Sequence, residues 1–174
     1  WNSPDNWTHV VTAIAKKLSE IDAPNAAKYQ ANAEAYNKKI MDMKKAAEAK
    51  FAKVPQERRI LITGHDAFNY LGKAFGIEIH ATDFVSTEAQ ISAAQIDELA
   101  TLVATKKVPV IFQDNLGNPA AIQAVKEAVK AKGWKVEISD TPLYADSLGE
   151  SAPTNTYLGV FEHNVDAIVK AMTA

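Results

Sequence analysis

The chain has 174 residues, of which 47% are apolar and 23% charged, with a formal net charge of −2 at pH 7; this is the profile of one globular domain with a sizeable core. Such a balance offers nothing to attract nucleic acid or an anionic membrane surface. The absence of cysteine excludes disulfides and thiolate sites, so any metal must be held by His, Asp, Glu or carbonyl oxygen.

No run approaches the ~18 apolar residues of a membrane span, and Trp1-Asn2-Ser3-Pro4 lacks the charged and apolar regions of a signal peptide. Ser3 is a good N-cap with Pro4 at the first helical position, so a helix is predicted to start there. Trp7, Val11, Ile14, Leu18 and Ile21, spaced four and three apart, form its apolar face. After a break at Asp22-Ala23-Pro24-Asn25, a long helix is predicted over residues 24–53, with Tyr29, Ala33, Tyr36, Ile40, Met43 and Ala47 as a narrow stripe. At 1.5 Å per residue it would be about 40–45 Å long, which suits a strut packed along something else.

The remainder alternates strand and helix. Ile60–Thr63, Glu78–Asp83, Val108–Phe112 and Trp134–Ile138 are the predicted strands. Between them, a helix over Asp66–Phe75 stops at Gly76. A second opens with the capping box Ser92-Ala93-Ala94-Gln95 and turns Ile96, Leu99, Leu102 and Val103 inward. A third starts at Asn118-Pro119 and stops at Gly133. A loop from Asp140 to Pro153 leads to a last helix with Tyr157, Val160, Phe161, Val165, Ile168 and Val169 inward. The order implies an α/β fold: a four-stranded, mostly parallel sheet with helices on both faces, preceded by the long helix. The chain is thus read as a helical part, 1–55, and an α/β lobe, 56–174.

In parallel sheets of this kind ligands sit beyond the carboxyl ends of the strands. Those ends carry Gly64-His65-Asp66, Asp83, Gln113-Asp114-Asn115 and Asp140, whose loop adds Asp146. Imidazole with carboxylates and no sulfur suits Zn²⁺ or Mn²⁺. The plain structural alternative is that Asp66 caps the following helix while His65 packs nearby. No glycine-rich phosphate loop, G-x-S-x-G elbow or H-E-x-x-H segment is present.

Ile62-Thr63-Gly64-His65-Asp66-Ala67-Phe68-Asn69-Tyr70-Leu71 resembles the "S-H-D-A-F-G-Y-F" segment of the zinc- and manganese-binding ABC-transporter solute-binding proteins (cluster A-I, TroA-like or ZnuA-like). Phe84-Val85-Ser86-Thr87-Glu88 resembles that family's "G-V-S-T-E", and Val108–Asp114 its "I-P-A-I-F-V-E". Leu143-Tyr144-Ala145-Asp146-Ser147-Leu148-Gly149 resembles "L-F-S-D-A-M-G". Thr156–Gly159 and His163–Asp166 resemble its last helix, and Trp1 the Trp of its "H-x-W" segment. The series runs in order from Trp1 to the end of the chain.

The resemblance implies one lobe of a two-lobed protein whose lobes are joined by a long rigid helix, here 24–53, with a metal held between them by two protein ligands from each. It places His65 and Asp146 as the two ligands of the C-terminal lobe, and implies that the N-terminal lobe with the other two lies outside this chain. Histidine at position 65 is closer to the zinc-type branch. The implied function is capture of Zn²⁺ or Mn²⁺ in the periplasm or an equivalent extracytoplasmic space and delivery to a membrane ABC permease, without catalysis. Asp114 stands where relatives carry Glu and reads as a residue behind the ligands or at a helix start. His9 and His80 read as surface residues and His163 as structural. Uncovered apolar surface on the first two helices implies self-association of the chain. The competing readings are a metal-dependent hydrolase using His65 with Asp66 or Asp114, and a non-catalytic interaction or adhesion module.

Overall fold

The computed structural model describes residues 1–83, 92–113 and 119–173. Helix α1 spans Pro4–Ile21 and helix α2 spans Ala26–Phe51. Ser3 is the N-cap of α1, its hydroxyl oxygen accepting from the Asn6 N–H at 3.4 Å. One 3₁₀ turn, Ala23–Asn25, reverses the chain, so α1 and α2 form an antiparallel hairpin. Asp5 at the start of α1 accepts two hydrogen bonds from Lys44 Nζ near the end of α2, at 2.9 and 2.8 Å. That ion pair favours the charged lysine, and its hydrogen bond to Asp5 is the main cause that holds Lys44 above the usual lysine range.

The long helix divides along its length. Ile40, Met43, Ala47 and Phe51 are buried in the main core, whereas Tyr29, Ala33 and Tyr36 are only half-buried. Its first turns are therefore covered mainly by α1, and Tyr36 already packs against the edge of the main core. The expected apolar face of α1 is split for the same reason. Trp7, Val11, Ala15 and Leu18 face inward, while Ile14 and Ile21 are 54% and 70% exposed. A helix packed against one partner buries a narrow stripe, and the neighbouring apolar row, joined by Val10, stays on the surface.

Strand β1 spans Ile60–His65, β2 Glu78–Asp83, β3 Val110–Ile111 and β4 Glu137–Ile138. β1 and β2 pair in parallel, with Ile60 opposite Glu78 and His65 opposite Asp83. β3 and β4 also pair in parallel. The two ladders meet at one parallel bridge, Thr63 to Phe112, where the Phe112 N–H donates to the Ile62 carbonyl at 2.8 Å. The strands thus lie in the order β2-β1-β3-β4, all parallel. β3 and β4 are shorter than expected. Pro109 has no N–H to give, and only its carbonyl joins the ladder, accepting from Glu137 N–H. Residues 133–136 are spent on leaving the preceding helix: Gly133 takes φ +82°, and the Trp134 N–H turns back to the Val129 carbonyl.

Four further helices cover the sheet: α3 (Asn69–Phe75), α4 (Ala93–Lys106), α5 (Pro119–Ala131) and α6 (Tyr157–Thr173). The two-residue period of β1 sorts the core into two halves. Ile60 and Ile62 pack with Leu99, Val103, Ile122 and Val125 of α4 and α5. Leu61 belongs to the opposite half, with Phe51 of α2, Phe75 of α3, and Phe161 and Ile168 of α6. The Ser92–Gln95 capping box of α4 is formed in both directions. Gly76 ends α3 at φ +66°, as its position implied. Among the described residues no helix is long and apolar enough to cross a membrane.

Candidate metal centre

His65 is the last residue of β1, and three hydrogen bonds hold the backbone at Gly64 and His65. Thr63, wholly buried, donates its hydroxyl to the His65 carbonyl at 2.9 Å. The buried Thr82 hydroxyl, from β2, donates to the Gly64 carbonyl at 2.9 Å. The Ala67 N–H closes a tight turn onto the His65 carbonyl. This turn delays α3. The helix starts at Asn69, and Asp66 does not cap it; its Oδ1 accepts from Asn69 Nδ2 at 2.6 Å. The expected helix over Asp66–Phe75 is shorter at its start because strand hydrogen bonding runs on to His65.

Asp146 lies in the irregular loop after β4, and a series of backbone anchors fixes that loop. The Leu143 N–H donates to the Gln113 carbonyl at 3.1 Å. Asn164 of α6, 2% exposed, uses both ends of its amide on Tyr144: Oδ1 accepts from the Tyr144 N–H and Nδ2 donates to its carbonyl, each at 2.9 Å. The side chain thereby stands in for a neighbouring strand. His163 Nε2 donates to the Pro142 carbonyl at 2.9 Å, and its ring meets Tyr144 edge-on.

The two loops converge. His65 Nε2 lies 2.9 Å from Asp146 Oδ2, the N–H donating to the carboxylate. The histidine side chain is 19% exposed and the aspartate 49%, so the pair sits at the rim of the lobe and opens to one side. Its position, at the carboxyl end of β1 beside the β1–β3 junction, is where the strand order reverses direction. Among the described residues no group of three or more His, Cys, Asp and Glu side chains is placed to hold a metal ion. The arrangement offers one imidazole nitrogen and one carboxylate, with further positions open to solvent or to donors from elsewhere.

The other residues singled out in the sequence are placed apart. His80 Nε2 donates to Glu78 Oε1 at 2.8 Å, and His9 is exposed. Asp114 and the Phe84–Glu88 segment lie outside the described residues. Sequence reasoning matched Trp1 to a family segment without giving it a role, and gave none to Asn2 or Asn164. The local signal was weak: Asn164 stood inside a matched family segment, whereas the partners of Trp1 and Asn2 are far away in the chain.

Known proteins agree with this architecture. The chain is 31% identical over 173 residues to the zinc-binding protein TroA of Treponema pallidum (strain Nichols), covering 99% of this chain and 56% of that protein. The solved structure of that periplasmic zinc-binding protein superposes with a TM-score of 0.92, over 99% of this chain and 62% of that one. Identity is also 31% over 173 residues to the manganese-binding lipoprotein MntA of Bacillus subtilis (strain 168), with 99% and 56% covered. It is again 31% over 172 residues to the iron-binding protein YfeA of Yersinia pestis, with 98% and 53% covered. The chain thus spans about half the length of the curated relatives it matches. A family model described as ZnuA, zinc-uptake complex component A, periplasmic, matches residues 1–171, and the chain belongs to that family.

Proposed function

We propose that this chain is the C-terminal lobe, with its connecting helix, of an extracytoplasmic solute-binding protein that captures a divalent metal ion and hands it to a membrane ABC permease. On this reading residues 1–55 form the helical part and 56–174 the metal-binding lobe. The observation that carries it is the pairing of His65 with Asp146 at 2.9 Å, across 81 positions of sequence, at the open carboxyl edge of the sheet. Membership of the ZnuA family supports it, as do relatives named for binding zinc, manganese and iron.

The chemistry follows from the two donors. His65 would give the Nε2 lone pair and Asp146 one or two carboxylate oxygens. The ion would replace the proton now shared between them, so the imidazole would carry its hydrogen on Nδ1 instead. Protons compete for the same lone pair, and binding weakens as pH falls. Two protein ligands leave most of the coordination shell to water, so this lobe alone would bind weakly, and donors from a second lobe would complete a site of four or more ligands. One imidazole beside a carboxylate suits Zn²⁺ or Mn²⁺, with histidine favouring zinc. Nothing in the site calls for catalysis: Asp66 is engaged with Asn69, and the role assigned to His65 is to hold the cargo.

A crystal structure of the chain with Zn²⁺ added tests the reading. The expected result is one ion within about 2.0–2.2 Å of both His65 Nε2 and an Asp146 oxygen. An ion bound elsewhere, with the His65–Asp146 hydrogen bond intact, would overturn it.

A further inference from the structure

The two candidate ligands sit on separate loops, and a third segment touches both. Trp1 Nε1 donates to the Ala145 carbonyl at 3.0 Å, immediately before Asp146. The next residue, Asn2, donates from Nδ2 to the Ala67 carbonyl at 2.9 Å, two residues after His65. Asn2 is 6% exposed, so water cannot readily replace its amide. The segment is itself anchored. The Tyr157 hydroxyl of α6 donates to the Trp1 carbonyl at 3.0 Å, and Trp7 stacks on the Tyr157 ring with centroids 5.2 Å apart. Burial, chiefly, pushes that phenol above its usual range, which keeps the donated proton in place. Ser3 then starts α1.

We infer that Trp1 and Asn2 form a strap that sets the separation of His65 and Asp146, making them positioning residues for metal binding. Their role in metal binding rests on the function proposed above. Beside the His65–Asp146 contact, the Trp1 and Asn2 hydrogen bonds tie each ligand-bearing turn to one short segment. Two adjacent side chains, each donating one hydrogen bond to the turn that carries a different ligand, thus set the span that a metal ion must bridge. Ligand sets held by such outer contacts lose roughly 10–100-fold in affinity when the contact is removed. The hairpin of α1 and α2 continues directly from the strap, so displacement of the hairpin against the lobe would reach both ligand loops together.

The test uses Co²⁺ as a spectroscopic probe and Zn²⁺ competition for affinity, on the chain and four variants. Asn2→Ala and Trp1→Phe each delete one donor, and the phenyl ring keeps most of the packing of the indole. Both are expected to lower Zn²⁺ affinity roughly 10-fold or more and to shift the Co²⁺ absorption bands at saturation. Val129→Ala, in the core far from both loops, is expected to lower the melting temperature while leaving affinity and bands unchanged. His65→Ala separates the two claims. Retained binding in His65→Ala would sink the proposed function. If it abolishes binding while Asn2→Ala and Trp1→Phe keep wild-type affinity and bands, only the strap is overturned. Equal affinity losses in Val129→Ala, or failure of both strap variants to fold, would also overturn it, in favour of a purely structural role.

Discussion

His65 Nε2 and Asp146 Oδ2 stand 2.9 Å apart although 81 positions separate the residues in sequence. β1 delivers the first and a loop pinned to α6 delivers the second. Neither loop is placed by its own local structure alone, so the pairing depends on tertiary contacts that can be removed one at a time.

The amide of Asn164 is the first such contact. Asn164→Ala would leave the Tyr144 N–H and carbonyl without these partners in a half-buried setting. Each unsatisfied group costs about 1–3 kcal/mol when buried, and two half-buried ones are expected to cost together about 2–4 kcal/mol, below the full sum. Urea unfolding followed by circular dichroism measures it. A loss below about 0.5 kcal/mol would mean that the loop holds without Asn164.

The tip of the α1–α2 hairpin should respond to acid. Asp22 Oδ2 accepts from Tyr29 Oη at 2.6 Å and from Asn25 Nδ2 at 2.8 Å. The Tyr29 hydrogen bond, then that of Asn25, holds the Asp22 carboxyl below the usual carboxylate range. A depressed folded-state pKa contributes stability above the unfolded value and loses it as pH falls through the folded one. Protection factors of the amides at residues 22–29, which take out the slower intrinsic exchange in acid, are therefore expected to fall at acid pH before those of the lobe core. Asp22→Asn should show fast exchange there already at neutral pH. Exchange at the tip that follows the core at every pH would contradict this.

The exposed row Val10, Ile14 and Ile21 on α1 bears on association. We expect the chain to self-associate through this row at high concentration, because contiguous apolar surface is reburied where it can be. Light scattering should show a mass above 18.9 kDa that returns to the monomer value in the double variant Ile14→Glu, Ile21→Glu. A clean monomer in the unaltered chain at high concentration would rule the expectation out.

Much of the architecture was legible because it is written in local patterns. Ser3, the Ser92–Gln95 box, Gly76 and Gly133 mark helix ends through hydrogen bonding and backbone conformation that involve only a few neighbouring residues. The alternation in β1 carries the two-sided core in the same way. What failed to show was tertiary. The start of α3 at Asn69 depends on β1 holding its ladder to His65. The exposure of Ile14 and Ile21 depends on how many neighbours α1 has, which periodicity does not reveal. For the site, the carboxyl-end rule pointed to His65 and brought Asp146 in only as one acid of the loop after the fourth strand; its pairing with His65 came through resemblance, because an irregular loop carries no periodic signal. The strap from Trp1 to Ala145 closes a span of 144 positions and leaves no local mark.

The central claim is that His65 and Asp146 jointly hold one divalent ion, and calorimetric titration of Zn²⁺ into the chain and into His65→Ala and Asp146→Ala tests it most directly. The account predicts one ion per chain, bound more weakly than micromolar because two protein ligands leave most of the coordination shell to water, with the binding heat lost in either variant. Sub-micromolar affinity in the unaltered chain, or unchanged binding in His65→Ala, would contradict it.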